Sequence, residues 1–298
     1  MSVHVDLTPA PTPRAPAQSR WDAMTSDERR AAVDALPGYI PEGESCMSEG
    51  DAHFDPKAEG RDTLRTYFER TGRKLYVSAE LPVYYPNETR FAPDLLAVRD
   101  VETHARNKWV VSAEGHGLDW VLEILVGGDR RKDLEGNVQR YARLLIPEYF
   151  VFDRERNVLR GWRLPDPKIG IYQPIVPQRG ALRSAVLELD LKIEGDRLRF
   201  RRGTALIPSP GELILHLEHE VNDLVVTREH EAFLRAEAEQ QVEHERLRAE
   251  EAAQQAERER LRAESAEQRA DEATRRLEEA LRELERLRAG GGGDGSRG

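Results

Sequence analysis

The sequence predicts an α/β domain followed by one long, charged helix. In the first part of the chain, short alternating or wholly apolar stretches are typical of strands. Between them, other stretches carry apolar residues every three or four positions, which is typical of helices. In the last part, residues 229–288 consist mainly of Ala, Glu, Arg, Gln and Leu, all strong helix formers.

The beginning of the chain is rich in proline and poor in large apolar residues. Such a segment buries too little surface to offset the entropy of ordering, so residues 1–24 are predicted to be disordered. A domain is predicted at 25–213. It opens on a short helix, because Thr25 and Glu28 have the spacing of a capping box.

Residues 38–56 contain Gly, Pro, Ser and Asp and are predicted to form a loop. His53 falls in this loop. Neither His53 nor His104 and His116 has metal-ligand spacing, and all three are expected at the surface. Trp109 and Trp120 are expected in the core.

The apolar patterns place the regular elements of the domain. Helices are predicted at 62–69 and 131–145, and strands at 74–85, 91–98, 120–126, 149–153, 158–163, 171–175, 186–193 and 198–201. The unit formed by strand 120–126, helix 131–145 and strand 149–153 has the length of a crossover connection. It therefore predicts one parallel pair of strands.

The helical region 214–289 is predicted to form a coiled coil. Acid-first pairs four residues apart, such as Glu272 and Arg276, stabilise a helix. Leu277, Leu281 and Leu284 follow the spacing of a short coiled-coil seam. A lone polar helix of this length is only marginally stable, so a homo-oligomer formed through this helix is expected. The Gly-rich end, 290–298, is predicted to be flexible.

The net charge of −10 is concentrated in the helical region. Residues 217–288 carry 21 acidic and 13 basic residues, so the remainder of the chain is close to neutral and nucleic acid is not excluded as its partner. The single cysteine, Cys46, excludes an intrachain disulfide. No segment resembles a secretory signal or a membrane span, so a cytoplasmic protein with no membrane partner is expected.

Glu123 is the anomaly of the sequence. It is the only charged residue in the apolar stretch WVLEILV, and a strand buried on both faces should not hold an unpaired charge. Asp94 follows Pro93 inside another predicted strand, where a proline is unusual because it removes a ladder donor. A divalent cation would allow two such carboxylates to lie together, and hard oxygen ligands suit Mg²⁺. The alternative is an ion pair between Glu123 and an arginine such as Arg131 or Arg140.

The stretches PDLLAV, DWVLEIL and RRKDLEGNVQRYARLLIPEYFVFD, in this order, resemble the PD-(D/E)XK nuclease superfamily. Within it, the chain is similar to the Uma-type restriction endonucleases, the group also called domain of unknown function 820. The stretch SEGDAHFDPKAEGRDTLRTYF fits the same group, and the similarity covers roughly residues 25–213. The resemblance implies a restriction-endonuclease-like fold, in which a mixed sheet is flanked by helices and the metal ligands lie at one end of the sheet.

The resemblance also implies site residues. Asp94 and Glu123 match the metal carboxylates, and the backbone carbonyl of Ile124 is the expected third ligand for Mg²⁺ or Mn²⁺. The chain departs from the family where a catalytic lysine is expected, because Leu125 and Asn137 occupy the two usual positions. Lys132 is the candidate replacement.

Two functions therefore remain open. The first is a metal-dependent endonuclease that hydrolyses DNA, with Asp94, Glu123 and Lys132 as its catalytic residues. The second is an inactive, nuclease-derived binding or scaffold protein that oligomerises through its coiled coil. Asp133, Asn137 and Tyr141 share one helix face at a spacing of four residues, and they either line the site or serve in packing.

Overall fold

The computed structural model describes residues 12–40, 50–127, 130–166 and 168–290, with side chains as far as Leu287. The chain divides into two units, Met1–Leu217 and Glu218–Gly298. Residues 1–11 of the predicted disordered start and all but one residue of the predicted Gly-rich end lie outside the described residues. Among the described helices, none combines the length and apolar character needed to cross a membrane.

The regular elements are interspersed along the first unit, and the last helix runs into the second. The helices are α1 (Gln18–Ala23), α2 (Ser26–Asp34), α3 (Asp51–Arg70), α4 (Val111–Glu114), α5 (Asn137–Arg143) and α6 (Pro210–Gly290), and Lys132–Gly136 form a π-helical turn. The strands are β1 (Leu75–Ala79), β2 (Val83–Tyr84), β3 (Leu95–Arg99), β4 (Trp109–Val110), β5 (Trp120–Leu125), β6 (Glu148–Asp153), β7 (Val158–Arg163), β8 (Gln173–Pro174), β9 (Ala181–Ser184), β10 (Leu189–Glu194), β11 (Arg197–Arg202) and β12 (Ala205–Leu206).

The main sheet, within the described residues, has the strand order β1-β3-β5-β6-β7-β8. Its neighbours are antiparallel except for β5 and β6, which are parallel and are joined through the π-helical turn and α5. A second, antiparallel sheet has the order β12-β11-β10-β9, and β2 pairs with β4. The prediction of a parallel pair, and of an α/β fold with a mixed sheet and a long C-terminal helix, is confirmed.

The main sheet is covered on both faces, which explains its wholly apolar strands. On one face, Leu64 of α3 and Phe200 of β11 belong to the same buried cluster as Leu122 and Ile124 of β5. On the other face, Tyr141 of α5 belongs to a second cluster with Val121 and Leu125 of β5. Alternate residues of β5 thus point to opposite faces. Trp109 and Trp120 are fully buried, as predicted.

The N-terminal capping box is confirmed. The backbone N–H of Thr25 donates to Glu28 Oε2 at 2.7 Å, and the N–H of Glu28 donates to Thr25 Oγ1 at 3.3 Å. The predicted disorder does not hold for residues 12–24, however. Ala15 and Trp21 are buried, and Ala15 forms a β-bridge with Pro86. These two residues bury apolar surface that holds the segment in place, although its composition is rich in proline.

Helix α3 corrects the last part of the predicted loop at 38–56, because it begins at Asp51, while 41–49 lie outside the described residues. Pro56 lies inside this helix and has no N–H to donate to the carbonyl of Ala52, four residues earlier. The guanidinium of Arg154 donates to that carbonyl at 2.5 Å. The helix therefore continues through a proline that the sequence pattern treats as a break.

Candidate active site at the end of strands β3 and β5

Asp94 and Glu123 lie opposite each other. Strands β3 and β5 pair Leu95 with Leu122, and extending this register by one residue brings Asp94 opposite Glu123. The N–H of Asp94 donates to Glu123 Oε2 at 3.2 Å, and the N–H of Ile124 donates to Asp94 Oδ2 at 2.7 Å. The structure thus brings the two predicted carboxylates together, each held by a backbone N–H of the other strand.

The Glu123 carboxyl is buried in an acidic environment. It is 7% exposed, and its Oε1 accepts a hydrogen bond from the Tyr141 hydroxyl at 2.7 Å. Burial raises the pKa of Glu123 well above its usual value, and the negative charges of Asp94 and then Asp133 raise the pKa further. Two carboxylates therefore lie near a carboxyl that already disfavours ionisation.

Asp133 lies in the π-helical turn and is also buried. Its Oδ1 accepts a hydrogen bond from Asn137 Nδ2 at 2.8 Å, and its backbone carbonyl accepts one from the Tyr149 hydroxyl at 2.9 Å. Burial raises the pKa of Tyr149, and the charges of Glu123 and Asp133 add to this effect, which keeps the hydroxyl protonated as a donor. Local π-helical turns are frequent at functional sites. The turn thus adds a third carboxylate beside the Asp94–Glu123 pair.

Asn137 and Tyr141 both contact these carboxylates, so the helix face shared with Asp133 lines the site. Burial also raises the pKa of Tyr141 well above its usual value, with a further contribution from the charge of Glu123. Tyr141 therefore stays protonated and donates to Glu123.

The predicted arginine partner Arg140 does not bind Glu123. Its guanidinium donates to the backbone carbonyl of Thr89 at 2.6 Å and forms an ion pair with Glu88 at 3.2 Å. Within the ion pairs of the described residues, none includes Glu123. The simple ion-pair interpretation of this residue therefore finds no support in Arg140.

Lys132 has an exposed side chain in the π-helical turn. No hydrogen bond or ion pair within the described part of the chain joins it to Asp94 or Glu123. Its position next to Asp133 in the turn places it near the acidic cluster in sequence, while its side chain faces solvent.

His53 is the site residue that the sequence pattern misses. The prediction that His53 lies in a surface loop is wrong, because His53 lies on α3, its side chain is 19% exposed, and its Nε2 is 3.2 Å from Asp94 Oδ2. The signal was present in the spacing: Lys57, Gly60 and Leu64 continue the same helix face at intervals of four, three and four residues. Lys57 is 2% exposed, and its Nζ is 3.3 Å from His53 Nδ1.

The chemistry of this set of donors fits a divalent cation. Two carboxylates at the same sheet end repel each other in a buried place, and a cation would offset the repulsion that raises the pKa of Glu123. The N–H of Ile124 points to Asp94, and the N–H and C=O of one strand residue point to the same side. The carbonyl of Ile124 thus faces the Asp94 side. Within the described residues, no group of three His, Cys, Asp or Glu side chains is arranged to hold an ion, so an ion in this place would need a backbone or water ligand as well.

Comparisons with known proteins identify the family of the chain. The model of the Uma2 family, described as "Putative restriction endonuclease", matches residues 40–216, more than half of the chain. A solved structure from Anabaena variabilis ATCC 29413, described as "a putative nuclease belonging to DUF820", is 13% identical. The match covers 53% of this chain and 89% of that chain, with a TM-score of 0.40. No curated protein matches the chain. The family match confirms the resemblance seen in the sequence, and this protein belongs to the Uma2 family.

Proposed function

We propose that this protein is a Mg²⁺-dependent endonuclease that hydrolyses phosphodiester bonds of DNA. One observation carries the proposal. Asp94 and Glu123 face each other on neighbouring strands, and the pKa of Glu123 is raised by burial and by the Asp94 charge. Perturbed carboxyls of this kind are typical of functional sites. Membership of the Uma2 family supports the nuclease activity.

Asp94, Glu123 and the backbone carbonyl of Ile124 are the proposed ligands of the ion. Mg²⁺ or Mn²⁺ in this place would stabilise charge on the phosphate and activate water. The protein's own groups orient the ligands: the Tyr141 hydroxyl holds Glu123, and the N–H of Ile124 holds Asp94. Arg131 and Lys132 expose their side chains next to Asp133, which supports contacts with DNA phosphates and keeps Lys132 as the proposed catalytic cation.

Self-association through α6 completes the proposal, since two cores are suited to the two strands of a duplex. The described side chains of the second unit are exposed, with Ser265 alone at an intermediate level. Leu277, Leu281 and Leu284 are between 53% and 64% exposed, which supports a coiled coil with a partner helix. Analytical ultracentrifugation should give a multiple of the chain mass for the full chain and the monomer mass for residues 1–217. An oligomer of residues 1–217 would contradict this role for α6.

Nicking of supercoiled DNA by the full chain tests the activity. We expect nicking with Mg²⁺ or Mn²⁺ and none with EDTA. Asp94→Asn and Glu123→Gln should lower the rate by about 10²–10⁴-fold, because a catalytic ion contributes several kcal/mol and 1.36 kcal/mol is a factor of ten. Glu135→Gln is the matched control, because Glu135 is an exposed residue of the same π-helical turn. Equal nicking by wild type and both site variants would exclude the proposal.

The scaffold function is the second candidate, and Asn137 favours it. This residue stands where the family resemblance implies a lysine, and its amide is bonded to Asp133. If the wild type nicks neither supercoiled, linear nor single-stranded DNA with either ion, while the full chain remains oligomeric, the scaffold function is supported instead.

A further inference from the structure

A chain of polar contacts reaches the candidate site from helix α3. Glu80 forms an ion pair with Lys57 Nζ, Lys57 Nζ lies 3.3 Å from His53 Nδ1, and His53 Nε2 lies 3.2 Å from Asp94 Oδ2. His53 and Lys57 are four residues apart and share one face of the helix. Two side chains, Lys57 and His53, therefore connect the half-exposed Glu80 with a proposed metal ligand.

Only one assignment of donors and acceptors fits this series of contacts from Lys57 to Asp94. An ammonium group has three donors and no acceptor, so Nδ1 of His53 must accept from Lys57. The imidazole proton then lies on Nε2, which donates to Asp94 Oδ2. Lys57 thus selects the tautomer of His53, and that tautomer is the one able to hold the Asp94 carboxylate.

Burial alone would disfavour the charge on Lys57, whose side chain is 2% exposed. The ion pair with Glu80 offsets this cost and keeps the ammonium group a donor. The helix turn that carries His53 is fixed independently. The N–H of His53 donates to the carbonyl of Gly50 at 2.9 Å, and Arg154 donates to the carbonyl of Ala52.

We propose that Glu80, Lys57 and His53 form a positioning relay for Asp94. The two hydrogen bonds that the described residues make with the Asp94 carboxylate, from Ile124 and His53, both fall on Oδ2. They fix the rotation of the carboxylate and leave Oδ1 for a cation. His53 is a positioning residue in this arrangement, because both of its ring nitrogens are engaged. The catalytic consequence of the relay rests on the proposed nuclease function, whereas the tautomer of His53 does not.

The tautomer is measured first, on the full chain without metal. Long-range ¹H–¹⁵N spectra distinguish a protonated from an unprotonated ring nitrogen, and the signals of His53 are those lost in His53→Gln. We expect a proton on Nε2 and none on Nδ1 in the wild type at neutral pH. In Lys57→Met this pattern should change to a mixture of tautomers. Lys74→Met is the matched control, because it removes an exposed lysine paired with Glu102.

Nicking activity is measured on the same variants. Lys57→Met should lower the rate about 10- to 100-fold, which is typical for removal of a group that orients a metal ligand. Lys57→Arg should recover part of this loss, since it restores a donor, and Lys74→Met should leave the rate unchanged. Glu80→Gln repeats the test at a half-exposed residue if Lys57→Met does not fold.

Three results would overturn the relay. These are a proton on Nδ1 of His53 in the wild type, an unchanged His53 pattern in both Lys57→Met and Glu80→Gln, or full activity in both variants. A wild type without nicking activity would instead refute the proposed function, and the spectra would still decide whether Lys57 sets the tautomer of His53.

Discussion

Two buried glutamates lie in the parallel β5–β6 pair, and their surroundings differ. Glu148 is at the start of β6, opposite Trp120, and Glu123 is three residues further along β5. Their exposed fractions are 2% and 7%. The two residues are thus of the same type and similarly buried, and they differ in the groups that surround them.

Donors surround Glu148. Its carboxylate accepts hydrogen bonds from the Ser184 hydroxyl and from the N–H groups of Ala185, at 2.8 Å, and Val186, at 3.3 Å. Arg163 adds an ion pair at 3.2 Å. These contacts join the second sheet to the main one, and they supply the cation and donors that a buried carboxylate needs.

Glu123 has two hydrogen-bond donors, and its charged neighbours Asp94 and Asp133 are carboxylates. Such an arrangement costs stability. The comparison teaches that burial of a charge does not by itself indicate a functional site. The balance of charge around the buried group is more informative, and by this measure Glu148 is a structural residue and Glu123 is a candidate site residue.

The largest change in the free energy of unfolding is expected for Glu148→Gln. The amide group would oppose the N–H of Ala185 or Val186 and leave a buried donor unsatisfied. The free energy of unfolding should fall by about 2–4 kcal/mol, since an unsatisfied buried donor and a lost charge-assisted bond each cost about 1–3 kcal/mol. Urea unfolding followed by tryptophan fluorescence measures it, because all four tryptophans lie before residue 217. The exposed control Glu135→Gln should change stability by less than about 0.5 kcal/mol. An equally small change in stability for Glu148→Gln would contradict the structural role of Glu148.

The opposite change in the free energy of unfolding is expected for Glu123→Gln, because this substitution removes a carboxyl that resists ionisation. At neutral pH the variant should be about 1–2 kcal/mol more stable than the wild type, as is common when a destabilised active-site group is replaced. The pKa of Glu123 is raised in the folded state, so its contribution to stability is full below pH 4.5 and is lost as the pH rises through the folded pKa.

The gain from Glu123→Gln should therefore disappear below pH 4.5 and grow above it. Addition of Mg²⁺ should narrow the difference at neutral pH, because a bound ion stabilises only the protein that retains its ligands. A variant less stable than the wild type at every pH would show that Glu123 is structural, like Glu148.

Much of the fold could be predicted, because strands buried on both faces leave a plain apolar pattern. The stretch 158–163 coincides with β7, and the unit from 120 to 153 yields the parallel β5–β6 pair. Helix α3 could not be placed in full, because Pro56 in its first turns indicates a loop. Arg154, about a hundred residues away, donates to the carbonyl of Ala52, which the proline leaves without its usual helical donor.

The two carboxylates of the candidate site were predicted because a charge in an apolar strand is anomalous by itself. The contribution of α3, His53 and Lys57, was not predicted, because a histidine and a lysine four residues apart are common on exposed helices. Their burial depends on Glu80 and Asp94, which come from other elements. Glu148 shows the same limit, since its donors Ser184 and Ala185 become neighbours only when the second sheet packs on the first.

The smallest effect is expected at Glu212, a half-exposed carboxylate that combines a capping box with a cation. Its Oε2 accepts hydrogen bonds from Arg199 at 2.7 Å and from the N–H of Ser209, the residue before α6, at 2.9 Å. The hydrogen bond from Arg199 lowers the pKa of Glu212 to about 2.

A lowered folded pKa contributes stability above pH 4.5 that is lost as the pH falls towards 2. Because the side chain is 38% exposed, Glu212→Gln should cost less than about 1 kcal/mol at neutral pH, and less in high salt. The difference from the wild type should shrink steadily between pH 4.5 and 3. A cost that stays constant over this range would mean that the packing of the Glu212 side chain, rather than its charge, stabilises the start of α6.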